Sequence, residues 1–587
     1  MKRLAGDPVN RTPANESDGV SRRRFIGTIG AAVGALGVAP VIGGKVSTAS
    51  AAPAVAGTGA SGFPGRMNDC FAYRRDAAIA GRVNVGIQTG NGDLGAYSDF
   101  SGMFSKGLLH DALGIPNAAA VASLVLAFQT GRQSDFASII VGTPGGGANS
   151  KLNGPQGALA FDIQGLDSHS TTIPRAPTVA SAQTAAEHAE HCWATLLRDV
   201  PFSEYGSNSI AAQACVDLNN MSYVSNGDSQ FGSAVTPQNL FRGKFSVGDG
   251  NVKGPYISQF LIQPVGYGAL EIDQRIRTFM PGQEFMTSVA TYQNIQNGGS
   301  SEGATIYDPT LRYLRNGRDL AAYTRVDVLF QAYFNAAMIL GGIGAAANPG
   351  IPYAASQTQK AFGTLGGPDR VGTLCEMATR ALKAAWYHKW IKDLRMRPEE
   401  YGALVHARKT GMSPMPQAAT ALHSDALNSA ANPLLFSSYG TYLLPQPFPE
   451  GSPTHPCYPT GHGTVGGACI TALKFFINGS QKLGPLLNGA GRDFYESSAD
   501  GLSLNNYSGP DAASIDINGE LNKLAWNISV GHGIHAGIHF RSSTYWSILL
   551  GEQVALAILR ERAKSYNEPF TVSIKKFDGT PATITNQ

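Results

Sequence analysis

PTGHGTVGGACITALKFFI (459–477) reads as the entrance and body of a buried helix, and the rest of the chain is best understood from it. Pro459 and Thr460 form the entrance, and Val465, Cys469 and Leu473 then recur every four residues, the helical period. The first turn of a helix has N–H groups without intrahelical partners and the positive end of the backbone dipole, so it attracts an anion. Gly461 lets the backbone come close to such a ligand, Thr460 adds a hydroxyl donor, and His462 is placed to move a proton. The plain alternative is a capped helix with a surface histidine. A second histidine, His455, seven residues upstream weighs against it.

Working outward, apolar residues fall at helical spacing over 179–197, 320–340, 371–395 and 544–564, with Pro177 and Thr178 as the entrance to the first. Strand-like alternation is short and rare, as at 570–574. Gly-, Asn- and Ser-rich connections occupy 297–303 and 488–510. The fold class expected is all-α, bundled helices joined by long ordered loops. Residues after about 65 read as one catalytic unit, with an N-terminal helical half (52–315) and a C-terminal bundle carrying the site (316–587).

Composition supports a globular enzyme. The 587 residues are 43% hydrophobic and 15% charged, with a formal net charge of +3. That balance gives no basic patch for nucleic acid and no polybasic membrane anchor. Residues 1–51 read as a twin-arginine signal: Ser21-Arg22-Arg23-Arg24-Phe25-Ile26, a weak apolar run over 27–44, then Ala49-Ser50-Ala51. Export by that route, to the cell exterior or cell wall, is the expectation. The six cysteines show no CxxC or zinc spacing and are expected to be mostly free, buried thiols.

Two more stretches carry chemistry. Lys389 and Arg397 stand eight residues apart, on what reads as the end of a helix stopped by Pro398. A cation pair there commonly serves the helix dipole, but it can also aim two positive groups at one place. Residues 531–543 hold His532, His535 and His539 in an HxxHxxxH spacing. A zinc reading is weakened by Gly531, Gly533 and Gly537, which disfavour a regular helix, and by the lack of a nearby carboxylate.

Together the three stretches resemble the vanadium-dependent haloperoxidases, whose site is shared with the type-2 phosphatidic acid phosphatases. Lys389 and Arg397 match the family's K-x(6–7)-R-P, at the longer spacing of its algal branch. Thr460, Gly461 and His462 match P-S-G-H, and His539 matches the histidine of S/G-R-x5-H-x3-D. The segments FSKGLLHD (104–111), NGPQGALAFDIQG (153–165), LLRDVPFSEY (196–205), GPYISQFL (254–261), RNGRDLAAY (315–323) and LLPQPFPEGSPTHP (443–456) extend the likeness over roughly 65–560. The resemblance implies two four-helix bundles, often a homodimer, and vanadate held by Lys389, Arg397, Thr460 and Gly461 and bonded to His539. His455, His535 and Ser543 would stand behind these groups. In Streptomyces-type relatives it implies aromatic terpenoid (meroterpenoid) substrates.

The departures decide the functional expectation. The family's arginine six residues before the vanadate histidine is Gly533 here, and its aspartate four residues after is Ser543. Losing the arginine removes a charge-assisted contact worth about 1.5–3 kcal/mol. The reading preferred from sequence is an isomerase that rearranges an α-hydroxyketone with a 1,2-shift of a prenyl group, needing no cofactor, with Lys389, His462 and His539 as its catalytic residues. The alternatives are a chloro- or bromoperoxidase using vanadate, peroxide and halide; a phosphoryl-transfer site with phosphohistidine at His539; and a secreted binding protein without activity.

Overall fold

The computed structural model describes residues 62–80, 89–145, 150–162, 165–225, 230–232, 234–243, 245 and 250–587. The twin-arginine segment lies outside the described residues. The fold is helical, and the sheets among the described residues are two-stranded ribbons.

Eight helices position the site: α1 (Ala182–Leu196), α2 (Gly317–Val326), α3 (Gln331–Gly342), α4 (Gly367–Tyr387), α5 (Pro398–Thr410), α6 (Gly461–Phe476), α7 (Ile517–Val530) and α8 (Arg541–Ala563). Helix α6 is the stretch that opened the sequence reading. All sixteen of its residues are buried, as expected of a helix apolar on every face. It packs against α4, α7 and α8. The approach to α8 is possible only through glycine: a Cβ on Gly467 would lie 1.9 Å from the Ile548 carbonyl oxygen, and one on Gly551 2.0 Å from that of Thr464. The chain closes on a β-hairpin, β1 (Thr571–Lys575) with β2 (Pro581–Thr585).

Four sequence expectations are corrected. The helix expected over 179–197 begins at Ala182, with Ser181 rather than Thr178 as its cap; the Ser181 hydroxyl accepts from the Thr184 N–H. The helix expected over 320–340 is two, α2 and α3, with Asp327 extended between them. Pro398 does not end a helix but starts α5 at its first position, where a missing N–H costs nothing. The helix before it ends at Tyr387 and widens into a π-helical turn, His388–Asp393, that carries Lys389. A second π-helical turn, Gly531–His535, extends α7, so the glycine-rich segment departs from regular helix in its width rather than by being a loop. All six cysteines are free, four of them buried. No helix among the described residues is long and apolar enough to cross a membrane.

Candidate active site

The three sequence motifs meet at the N-terminus of α6. Thr460 is its N-cap in extended conformation, and the Thr460 hydroxyl oxygen is buried with no hydrogen-bond partner. A Cβ on Gly461 would meet Leu382 at 3.2 Å and Trp386 at 3.4 Å, so side chains of α4 wall the helix entrance. Trp386 also tilts against His455, ring centroids 4.8 Å apart, and faces the Lys389 ammonium at 5.8 Å. Of the aromatics near the motifs it is the one against the site; Tyr458 is buried with its hydroxyl on the Pro174 carbonyl.

Lys389 and Arg397 are both buried, and neither hydrogen-bonds a carboxylate through its side chain. Lys389 Nζ donates to the carbonyls of Pro456 (2.7 Å) and Cys457 (3.2 Å). Arg397 donates from Nε to the His455 carbonyl (2.8 Å) and from one terminal nitrogen to the Ile538 carbonyl (2.8 Å). Its two terminal nitrogens also reach His539 Nε2 (3.0 Å) and His455 Nδ1 (2.9 Å). Burial, together with the neighbouring Arg397 charge, holds the Lys389 ammonium well below the usual lysine range.

His539 is fixed by its other nitrogen. Nδ1–H donates to the Cys457 carbonyl at 2.6 Å, which leaves Nε2 with a lone pair, here directed at Arg397. Burial and the two cations push His539, and likewise His455, well below the ordinary imidazole range. His462 Nε2 lies 2.9 Å from an Asp327 carboxylate oxygen, and its ring stacks on His532 with centroids 3.8 Å apart. His532 in turn stands 5.5 Å from His539.

Lys389, Arg397, Thr460, Gly461, His455, His462 and His539 are thus brought together at the entrance of α6. His535 is not. Its ring lies among Phe202, Phe241 and Tyr256, with Nε2 3.0 Å from the Tyr256 hydroxyl, so the HxxHxxxH spacing does not converge on one point. Ser543 stands behind the site, its Oγ 3.4 Å from Cys457 Sγ and 3.3 Å from Arg395. Gly533 sits where packing has closed: a Cβ there would lie 2.7 Å from the Thr544 hydroxyl and 3.2 Å from the His539 carbonyl.

Sequence reading missed Asp327, hidden inside an expected continuous helix, and Arg395, which is paired with Glu187 at 3.2 Å. It also did not assign His532, whose role depends on direction rather than spacing.

No family model matches the chain. A vanadium-dependent bromoperoxidase of Ascophyllum nodosum is 34% identical, aligned over 88% of this chain and 91% of its own length. One of Corallina officinalis is 33% identical over 82% and 90%. A solved homohexameric structure, the second vanadate-dependent bromoperoxidase of A. nodosum, superposes with a TM-score of 0.79 at 28% identity, over 94% of both chains.

Proposed function

Because the chain belongs to the vanadium-dependent haloperoxidase family, we propose that it is an enzyme built on that scaffold whose site carries out a non-oxidative rearrangement of an α-hydroxyketone. The observation that carries this reading is the state of the vanadate-bonding nitrogen. His539 Nε2 accepts from Arg397, and the position of the family's second arginine is a glycine packed against Thr544. One cation is missing and another is turned onto the histidine, so the residues present do not fit vanadate in the manner the family uses.

The same residues suit a neutral ketone. Lys389 and Arg397 would polarise the carbonyl oxygen in a buried setting, where donors act strongly. One imidazole of the stacked His462–His532 pair would take the proton of the neighbouring hydroxyl. The migrating carbon group then moves with its bonding pair from the carbinol carbon to the carbonyl carbon. The former hydroxyl becomes the ketone and the former carbonyl oxygen takes a proton. No electron enters or leaves, so no oxidant is required. Trp386 against the helix entrance supports an aromatic substrate, and a prenylated hydroxynaphthoquinone-type ketone of meroterpenoid pathways fits that description.

A second reading, a bromo- or chloroperoxidase, is favoured by the relatives themselves. It requires Arg397 to leave His539 and another group to replace the lost arginine. Titrating vanadate into the protein with peroxide and bromide or chloride, beside an assay of the hydroxyketone without them, separates the two. Isomerisation of the ketone without peroxide, and no halogenation at saturating vanadate, is the expected result. Product that requires peroxide and halide would overturn it.

A further inference from the structure

We propose that a second pocket, at the opposite end of α6 from the oxyanion site, binds a small organic anion with an apolar body, a medium-chain carboxylate. This site is separate from the catalytic one, and its ligand is independent of the reaction performed there.

The pocket has a volume of about 330 Å³, at the small end of the range for ligand sites. It lies where the last residues of α6 meet the start of α4 and the loop that follows α3. Helix α6 has 16 residues, so its two ends are about 24 Å apart, and an occupant here leaves the catalytic entrance free. Ile351, Leu365, Phe476 and Ile477 form an apolar floor and are buried. Tyr353, a further wall, is held by its hydroxyl on the Glu568 carboxylate.

Two cations line the same pocket: Lys360, which is exposed, and Arg370 of α4. Arg370 Nε is buried with no hydrogen-bond partner, and one terminal nitrogen lies 3.3 Å from where a Cβ on Gly341 of α3 would stand. Burial lowers this guanidinium from the usual arginine range, and among the described residues no carboxylate acts on it. The carboxylates of α4 are committed elsewhere. Asp369 takes Arg562, the Tyr566 hydroxyl and the Leu365 N–H, and Glu376 takes Arg562 and Arg380.

A buried guanidinium N–H without an acceptor is costly, and an anionic oxygen supplies one. The floor decides what carries that oxygen. A small inorganic anion gives up hydration and gains nothing from Ile351, Phe476 and Ile477, whereas the same residues take an alkyl body out of water. The planar fork of arginine matches a carboxylate at two points.

Isothermal titration of the full chain with octanoate, acetate and octanol tests this. Octanoate is expected to saturate one site, at least about tenfold tighter than acetate, which lacks the body, or octanol, which lacks the charge. Arg370→Met is expected to weaken octanoate about 10- to 100-fold, and Lys360→Gln about two- to fivefold. Octanoate binding unchanged in R370M would put the ligand elsewhere, the catalytic entrance included, and overturn the proposal. Octanol or acetate binding as tightly as octanoate, or no saturation with octanoate, would overturn it as well. Should R370M fail to fold, K360Q decides: weakened octanoate binding supports the site, and unchanged affinity overturns it.

Discussion

Arg395 and Arg397 lie two residues apart, both buried, and face opposite sides of the segment that carries His539. Behind it, Arg395 pairs with Glu187 and bonds Ser542 Oγ at 2.7 Å, while Arg541 is clamped bidentately by Glu190. Both carboxylates come from α1. In front of it, the side chains of Arg397 and Lys389 bond carbonyls and imidazoles and no carboxylate. A buried ion costs several kcal/mol to desolvate unless it is paired. The rear cations are offset by their carboxylates and act as structural ties. The front cations have no carboxylate on their side chains, Glu399 and Glu400 acting on Arg397 only from a distance, which a fold tolerates where a ligand oxygen accepts from them.

The comparison breaks most visibly if a rear carboxylate is removed. Glu190→Ala leaves the Arg541 guanidinium buried and unpaired, and a loss of about 3–5 kcal/mol in unfolding free energy is expected. Urea denaturation followed by circular dichroism measures it. A loss under about 1 kcal/mol would mean that water reaches Arg541 and that the rear layer is not the sealed support described here.

Lys389→Met is the matching test in front. It removes an ammonium that burial already disfavours, at the expense of one donor to the Pro456 carbonyl. Stability is expected to change by no more than about 1 kcal/mol, while kcat on the true substrate falls about 10²- to 10³-fold. Stability dropping as far as in Glu190→Ala would erase the distinction between the two faces.

How much of this was legible in sequence follows from the same contrast. The front cluster could be read because its members sit in short motifs where the residue types state their chemistry: Lys389 with Arg397, and Thr460-Gly461-His462 at a helix start. The rear layer could not. Glu187 and Arg395 are 208 residues apart, and nothing local in either stretch announces the pair. Asp327 was concealed for a different reason. The run Thr324-Arg-Val-Asp-Val328 continues the apolar period, yet its β-branched and short polar residues are weak helix formers, and the helix stops there so that Asp327 can reach His462. His535 was placed behind the site only by the resemblance, since spacing does not give direction; a π-helical turn carries it into the Tyr256 aromatic cluster. Gly467 and Gly551, which set how closely α6 and α8 pack, need the partner backbone in view before their meaning appears.

The imidazoles give the comparison a pH axis. Burial pushes His188, His191, His388 and His535 down to about 3 and His110 to about 4. These folded values lie below the unfolded 6.5, so as pH falls below about 6.5 the unfolded chain takes up protons that the folded chain does not. Stability is fully present above that pH and is lost progressively as pH falls toward about 3. Asp93 and Asp393, raised to about 6, and Glu400, raised to about 7, act in the opposite sense over the same window, as do the raised Glu190, Asp319, Glu496, Glu552 and Glu561, but His406, His455, His532 and His539 are lowered as well. The unfolding free energy from urea denaturation is therefore expected to drop between pH 7 and 5, by about 1.4 kcal/mol per pH unit for each proton of net uptake. A free energy that held steady or rose would show that the buried histidines are already charged in the folded protein.

The smallest effect sharpens the front face most finely. Thr460 Oγ1 is buried without a partner, an expense that a purely structural cap would not carry. Its position at the α6 N-terminus, beside Gly461, is where a ligand oxygen would complete it. Thr460→Val keeps the shape and deletes the hydroxyl. The free protein is then expected to be more stable by about 0.5–1 kcal/mol, because an unsatisfied polar atom has been removed. Turnover should fall about tenfold as the ligand loses one hydrogen bond. Thr460→Ser keeps the hydroxyl and loses a methyl, so its turnover should stay close to wild type. If valine cost stability instead, the hydroxyl would have to be bonded within the free protein, and the entrance of α6 would belong with the self-compensated rear of the molecule rather than with its front.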